Sequence, residues 1–194
     1  MKHYAITGNM GSGKSTVCMI FEQLGISVFY ADQQAHTAYE LPQIKAQLIN
    51  LFGEQIYQPD NQINKAMLAS LIFNDPEKLQ AVNQLIHPQV YIMYEQWKQQ
   101  KFANPYTLYE AAILFESGLP HTFDAVILVT APEELRLQRV MKYRKLSKTQ
   151  ALARMNQQWP EEKKIPLSNY IIRNDETQLL MPQILKLHQA LIKA

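Results

Sequence analysis

The octapeptide Gly8-Asn9-Met10-Gly11-Ser12-Gly13-Lys14-Ser15 constrains this chain more than any other stretch. It holds three of the six glycines and satisfies every fixed position of the pattern G-x-x-x-x-G-K-[S/T]. A loop that wraps a phosphate turns several backbone N–H groups inward, which demands dihedrals and close approaches that glycine tolerates best. The apolar run "HYAIT" (3–7) reads as a strand before it, and "KSTVCMIFEQL" (14–24) reads as an amphipathic helix after it. The helix N-terminus adds its dipole to the attraction for negative charge. Strand, loop and helix together point to a nucleoside triphosphate. Lys14 would bridge the β- and γ-phosphates, and Ser15 would offer its hydroxyl to Mg²⁺. An ordinary glycine-rich turn is the alternative, and the full pattern in this context weighs against it.

Four further runs carry a strand signature: "SVFY" (27–30), "YTLYEA" (106–111), "AVILVT" (125–130) and "YIIR" (170–173). "VILV" is continuously apolar, as expected of a strand buried on both faces. Longer helical patterns separate these runs, so the expectation is an α/β, doubly wound parallel sheet of five strands. Residues 33–101 interrupt it with apolar residues at helical spacing: Ile44, Leu48, Leu51 and Phe52; Met67, Leu68, Leu71 and Ile72; Leu79, Val82, Leu85 and Ile86. In "NDPEK", Asp75 is a candidate N-cap with Pro76 at the first helical position. This segment reads as an inserted helical subdomain. A second insertion, about 136–165, reads as a helical hairpin turning at "YRKLS", with capping boxes expected at "TAPE" (130–133) and "SKTQ" (147–150). The core is then about 1–32, 102–135 and 166–194, all within one domain. The paired glutamines read as solvated helix faces.

The bulk numbers exclude several classes. Across 194 residues the net charge is only +2, which implies no general nucleic-acid or membrane field. No uninterrupted apolar run, 125–129 included, is longer than five residues, far short of the roughly 20 residues of a membrane helix. The N-terminus shows no signal-peptide pattern. A single cysteine, Cys18, excludes an internal disulfide and fits a reducing, cytoplasmic setting. Charge is unevenly placed, however. All five arginines follow Leu135, and residues 136–164 carry nine basic side chains against two acids. Such a segment suits an anionic ligand, and Arg136 and Arg139, three apart, share a helix face. Arg139 is therefore a candidate for offsetting charge on a transferring phosphoryl group, a solvated basic helix being the alternative.

Asp32 follows the second strand, where ligands collect in open α/β sheets. It would accept a proton from the acceptor hydroxyl or hold a metal-bound water; capping the next helix is an equally weighted alternative. Glu110, ending the third strand, is a candidate metal partner, directly or through water. Glu116 is a weaker candidate for the same role, with a cap or turn as its alternative, and is also a candidate for acceptor binding. A guanine-reading N/T-K-x-D motif is missing, "NKAM" (64–67) lacking the aspartate. A small-molecule kinase fits a small core with two helical insertions, one for the acceptor and one closing over ATP.

The order of motifs resembles the dephospho-CoA kinase family over nearly the whole chain: "TGNMGSGKST", "ADQQAH", "LIHPQV", "ILFESGL", "RLQRVMKYR", "RMNQQWPEEKK" and "YIIRND". The resemblance implies a P-loop NTPase-type fold with a helical acceptor-binding insertion and a helical lid. It implies an ATP site at Gly11, Ser12, Gly13, Lys14, Ser15 and Thr16, and a catalytic base at Asp32. It places His87, beside Pro88, in acceptor binding, makes Arg139 and Arg144 lid arginines, assigns Gln158 and Lys164 to the second half of the lid, and sets Asn174 near the adenine. Mg²⁺ is the implied cofactor, and ATP and dephospho-CoA are the implied substrates, with no nucleic-acid or membrane partner. A monomer or weak homo-oligomer is expected. The chain departs from the family pattern at Tyr30, where an aspartate is usual, at Ala112 for proline, at Lys65 for arginine and at Arg173 for aspartate. Another small-molecule or nucleoside monophosphate kinase, or a nucleotide-binding regulatory module, is the alternative reading.

Overall fold

The structure, a computed structural model, describes residues 1–72, 75–101 and 103–193. Phe102 and Ala194, which bound two of the expected core segments, lie outside the described residues. The five expected strands form one sheet: β1 (Lys2–Thr7), β2 (Ser27–Tyr30), β3 (Tyr106–Glu110), β4 (Ala125–Thr130) and β5 (Tyr170–Arg173). Their order is β2-β3-β1-β4-β5, and every pairing is parallel. Each strand carries branched or aromatic residues, and β3 and β4 are buried along their whole length. That removes the alternation a half-exposed strand would show. Because all strands run the same way, Thr7, Tyr30, Glu110, Thr130 and Arg173 end on one edge of the sheet.

The chain divides into two compact units, residues 1–30 with 98–194, and residues 31–97. In the first unit, α1 (Lys14–Gln23) and α9 (Leu180–Lys193) pack together on the sheet. Val17, Cys18 and Phe21 of α1 and Ile184, Leu187 and Leu191 of α9 join Ile6, Leu108, Ile127 and Ile172 in one core. Fully burying each such side chain is worth about 1.5–3 kcal/mol, so this layer fixes where α1 begins. Burial also pushes the Cys18 thiol up to about 12, which leaves it inert.

Helix α6 (Glu133–Arg144) and helix α7 (Lys148–Met155) form the expected hairpin, packed through Val140, Ala151 and Met155. The capping box at Ser147 and Gln150 is present. The one expected at "TAPE" is not: Thr130 stays in the ladder opposite Arg173, and Pro132 precedes the helix without a side-chain cap. A residue held by a strand cannot also turn to cap a helix. Glu161, opening α8 (Glu161–Lys164), accepts instead from the Ala131 N–H at 3.4 Å.

The second unit contains α2 (Ala31–Ala38), α3 (Pro42–Phe52), α4 (Lys65–Ile72) and most of α5 (Pro76–Lys98). Ile44, Leu48, Phe52, Leu68, Val82 and Ile86 are buried as their spacing predicts, whereas Leu51, Met67 and Leu79 are exposed. A helix buries only the stripe that faces its neighbours, so apolar residues at the margin of that stripe stay exposed. Asp75 caps α5, its Oδ1 accepting from the Lys78 N–H at 3.1 Å. Among the described residues, no helix is long and apolar enough to cross a membrane.

Candidate active site

Strand β1 runs straight into the glycine-rich loop, and α1 begins at Lys14. Gly11 and Gly13 have φ of 83° and 88°, in the left-handed region open to glycine. The space around them is also taken. A Cβ on Gly11 would stand 2.5 Å from the Arg136 carbonyl oxygen, and one on Gly13 would run into the Asn174 amide. Both positions therefore need glycine for conformation and for close packing. Ser12 N–H closes a turn onto the Asn9 carbonyl at 2.9 Å, and Val17 N–H returns to Gly13 at 3.1 Å. Gly8 and Ser12 are buried, while Ser15 and Thr16 in the first turn of α1 are exposed.

Register brings an acid to this loop. Ile6 of β1 pairs with Glu110, the last residue of β3. The Glu110 carboxylate forms an ion pair with the Lys14 ammonium, and both side chains are nearly buried. Charges so placed attract strongly and hold each other's geometry. Ser15 contributes a hydroxyl and Glu110 a carboxylate, a sparse oxygen donor set. It fits Mg²⁺, which keeps waters and phosphate oxygens and takes only one or two protein ligands. Among the described residues, no three His, Cys, Asp or Glu side chains gather as a metal cluster.

The outside of the loop is held by side chains from three distant segments. Arg139 of α6 donates to the Gly11 carbonyl at 3.3 Å and to the Asn174 carbonyl at 3.1 Å, and pairs with Glu176 at 3.1 Å. Asn174, just past β5, donates to the Ser12 carbonyl at 2.8 Å. Gln158, after α7, accepts from the Met10 N–H at 2.7 Å and donates to the Ala112 carbonyl at 3.0 Å. Asn9 donates to the Trp159 carbonyl at 3.0 Å. The Gln157–Gln158 pair is thus no solvated helix face; it lies in the turn that closes on the loop. Nothing local in the sequence signals this, because each partner is a backbone atom far along the chain.

The basic segment is less uniform than its composition. Arg136 is buried, its guanidinium donating to the Ala131 carbonyl at 3.0 Å. Lys164 has no exposed surface and sits 2.8 Å from Glu116 Oε1. That same oxygen accepts from the Trp159 N–H at 2.8 Å, so Glu116 ties the segment after β3 to residues 159–164. Arg144 ends α6 and is exposed, with Lys142, Lys145, Lys148, Arg154 and Lys163. Tyr30 stands at the end of β2, and its phenol is held protonated by burial and by a hydrogen bond with Glu22.

In the second unit, Asp32 is the second residue of α2, inside its first turn, and is exposed. It therefore does not cap that helix, and its carboxylate stays available. His87 of α5 is half-buried. Burial pulls its pKa below the ordinary value, and the charge of Asp32 opposes that shift, so these two groups share one electrostatic neighbourhood. Lys65 opens α4 and is exposed.

Comparison with known proteins matches the pattern of the dephospho-CoA kinase family to residues 3–179. A dephospho-CoA kinase from Chlorobaculum tepidum is 37% identical over 195 residues, which span 96% of this chain and 93% of that protein. A crystal structure from Thermus thermophilus has a TM-score of 0.87 at 32% identity, covering 97% of this chain and 96% of the other. The structure of dephospho-CoA kinase from Campylobacter jejuni has a TM-score of 0.72 at 26% identity, covering 98% and 97%. With a match over this length, and a phosphate loop whose lysine meets the acid of the neighbouring strand, the chain belongs to the dephospho-CoA kinase family.

Proposed function

We propose that this protein transfers the γ-phosphoryl group of ATP to the ribose 3′-hydroxyl of dephospho-CoA, giving CoA and ADP. The observation that carries this reading is the family match across residues 3–179, because a phosphate loop alone is compatible with many acceptors. In the transfer, the bond from the γ-phosphorus to the bridging oxygen breaks as the ribose oxygen bonds to phosphorus, and ADP leaves.

Gly8, Gly11, Ser12, Gly13, Lys14, Ser15 and Thr16 cradle the triphosphate. Lys14 carries the principal positive charge, drawn from its pairing with Glu110 onto the β- and γ-phosphates. Asp32 accepts the proton of the ribose hydroxyl, and its place in the first turn of α2 leaves its carboxylate open to do so. His87 and Lys65 bind the acceptor, together with Glu116. Arg139 and Arg144 act from the lid, and Asn174 lies by the adenine. Ser15 and Glu110 would hold Mg²⁺, directly or through water. When bound, the ion neutralises charge on the β- and γ-phosphate oxygens. The protein works in the cytoplasm as a monomer or weak homo-oligomer, with small molecules as its partners.

The test is an ADP-release assay with Mg²⁺ and ATP, offering dephospho-CoA beside AMP, CMP, shikimate and adenosine. ADP is expected with dephospho-CoA, and mass spectrometry should find CoA. Turnover of another acceptor, with none of dephospho-CoA, would overturn the substrate and keep the kinase.

A further inference from the structure

Asn9, Met10, Ala112 and Glu116 are drawn together by one short segment, 158–164, which follows the second lid helix. Its first residue, Gln158, touches the loop at a backbone amide. The Met10 N–H donates to Gln158 Oε1 at 2.7 Å, so this amide is committed to a side chain and cannot serve a phosphate. The other end of the same side chain donates to the Ala112 carbonyl at 3.0 Å, two residues beyond Glu110. A single amide therefore spans the loop that leads to Lys14 and the stretch that follows its acidic partner.

The segment that carries Gln158 is itself anchored. Trp159 receives the Asn9 amide on its carbonyl and gives its N–H to Glu116. Glu116 pairs with the fully buried Lys164. Three links, one of them an ion pair with a buried lysine, leave the Gln158 backbone little freedom. A rigid mount for a side chain that grips a loop amide is what positioning requires.

We infer that Gln158 is a positioning residue for phosphoryl transfer: it fixes the Met10 peptide and so holds the phosphate loop, with Lys14, in register with Glu110. This rests on the reading that residues 8–16 hold the nucleotide. The effect would reach the phosphates through geometry, since small misplacements of a binding group are costly in rate. Gln158 itself need not touch the nucleotide.

The test is Gln158→Met, which keeps the length and removes both hydrogen bonds. Three readouts are taken: the Kd of Mg²⁺·ADP by calorimetry, the KM values for ATP and dephospho-CoA, and amide exchange at Met10. The variant should weaken Mg²⁺·ADP and raise the KM for ATP by about tenfold, the scale of one lost hydrogen bond. The KM for dephospho-CoA should stay within about twofold, and exchange protection should be lost at Met10 while core amides keep theirs. A merely structural staple would lower the melting temperature and produce no split between the two KM values. A variant that binds Mg²⁺·ADP as wild type does would overturn the inference alone. So would fast exchange at Met10 in the ligand-free wild type, which needs no variant to fold. Failure of wild type to bind Mg²⁺·ADP would overturn the nucleotide reading, and this inference with it.

Discussion

Lys14, the first residue of α1, forms an ion pair with Glu110, the last residue of β3, and only 10% and 7% of their side chains are exposed. The two are 96 positions apart in the sequence, by subtraction of their numbers, and meet because β1 and β3 are neighbours in register. The pair holds the lysine in the mouth of the loop before any phosphate arrives.

Removing the ammonium should therefore be costly to chemistry. Lys14→Met is expected to lower kcat/KM for ATP by about 10²–10³-fold, the range for losing one preorganised charged donor. Steady-state kinetics at varied ATP checks it. Glu110→Gln instead removes the buried carboxylate that faces the lysine, and should cost about 3–5 kcal/mol in the ligand-free protein by urea denaturation. A loss under about 1 kcal/mol would mean the pair is solvated in solution.

Asp32 is exposed within the first turn of α2. Asp32→Asn should lower kcat by about 10²–10⁴-fold and leave the affinity for Mg²⁺·ADP nearly unchanged, as befits a positioned base. Turnover within a few-fold of wild type would remove Asp32 from that role.

The Glu116–Lys164 pair should behave as a buried one. Lys164→Met strands the Glu116 charge and is expected to cost about 3–5 kcal/mol in urea. The double variant Glu116→Gln, Lys164→Met should recover much of that loss, because neither charge is then left alone. Additive losses in the two single variants would show that the groups do not interact.

His87 gives stability a pH dependence of known sign. Its folded pKa lies below the unfolded value of about 6.5, because burial disfavours the charged ring more than Asp32 favours it. The folded state thus prefers the neutral ring. That contribution is complete above about pH 6.5 and is lost as pH falls through the folded pKa. Urea midpoints for wild type and His87→Asn, compared at about pH 7.5 and about pH 5, should converge on acidification. A gap that widens toward acid would reverse the assignment.

The strands and the loop were legible from the chain alone. "VILVT" is apolar at every position but its last, as expected of a strand buried on both faces. The capping box at Ser147 and the cap at Asp75 were likewise readable, because their partners are three residues away. "TAPE" misled because the same local pattern lost to a long-range one: Thr130 is held in the sheet opposite Arg173. The surface of α3 and α4 misled in the other direction, since Leu51 and Met67 keep the helical period yet stay exposed.

The sequence by itself determined the order of strands and helices, the glycine-rich loop and the residue types on offer at the site. These depend on period, on turn chemistry and on groups a few residues apart. Only the tertiary structure decided which acid faces Lys14, which arginine is buried, and that Gln158 grips the Met10 amide. Those choices follow from strand order and from backbone atoms far apart in the chain, and backbone partners leave no mark in the sequence of side chains.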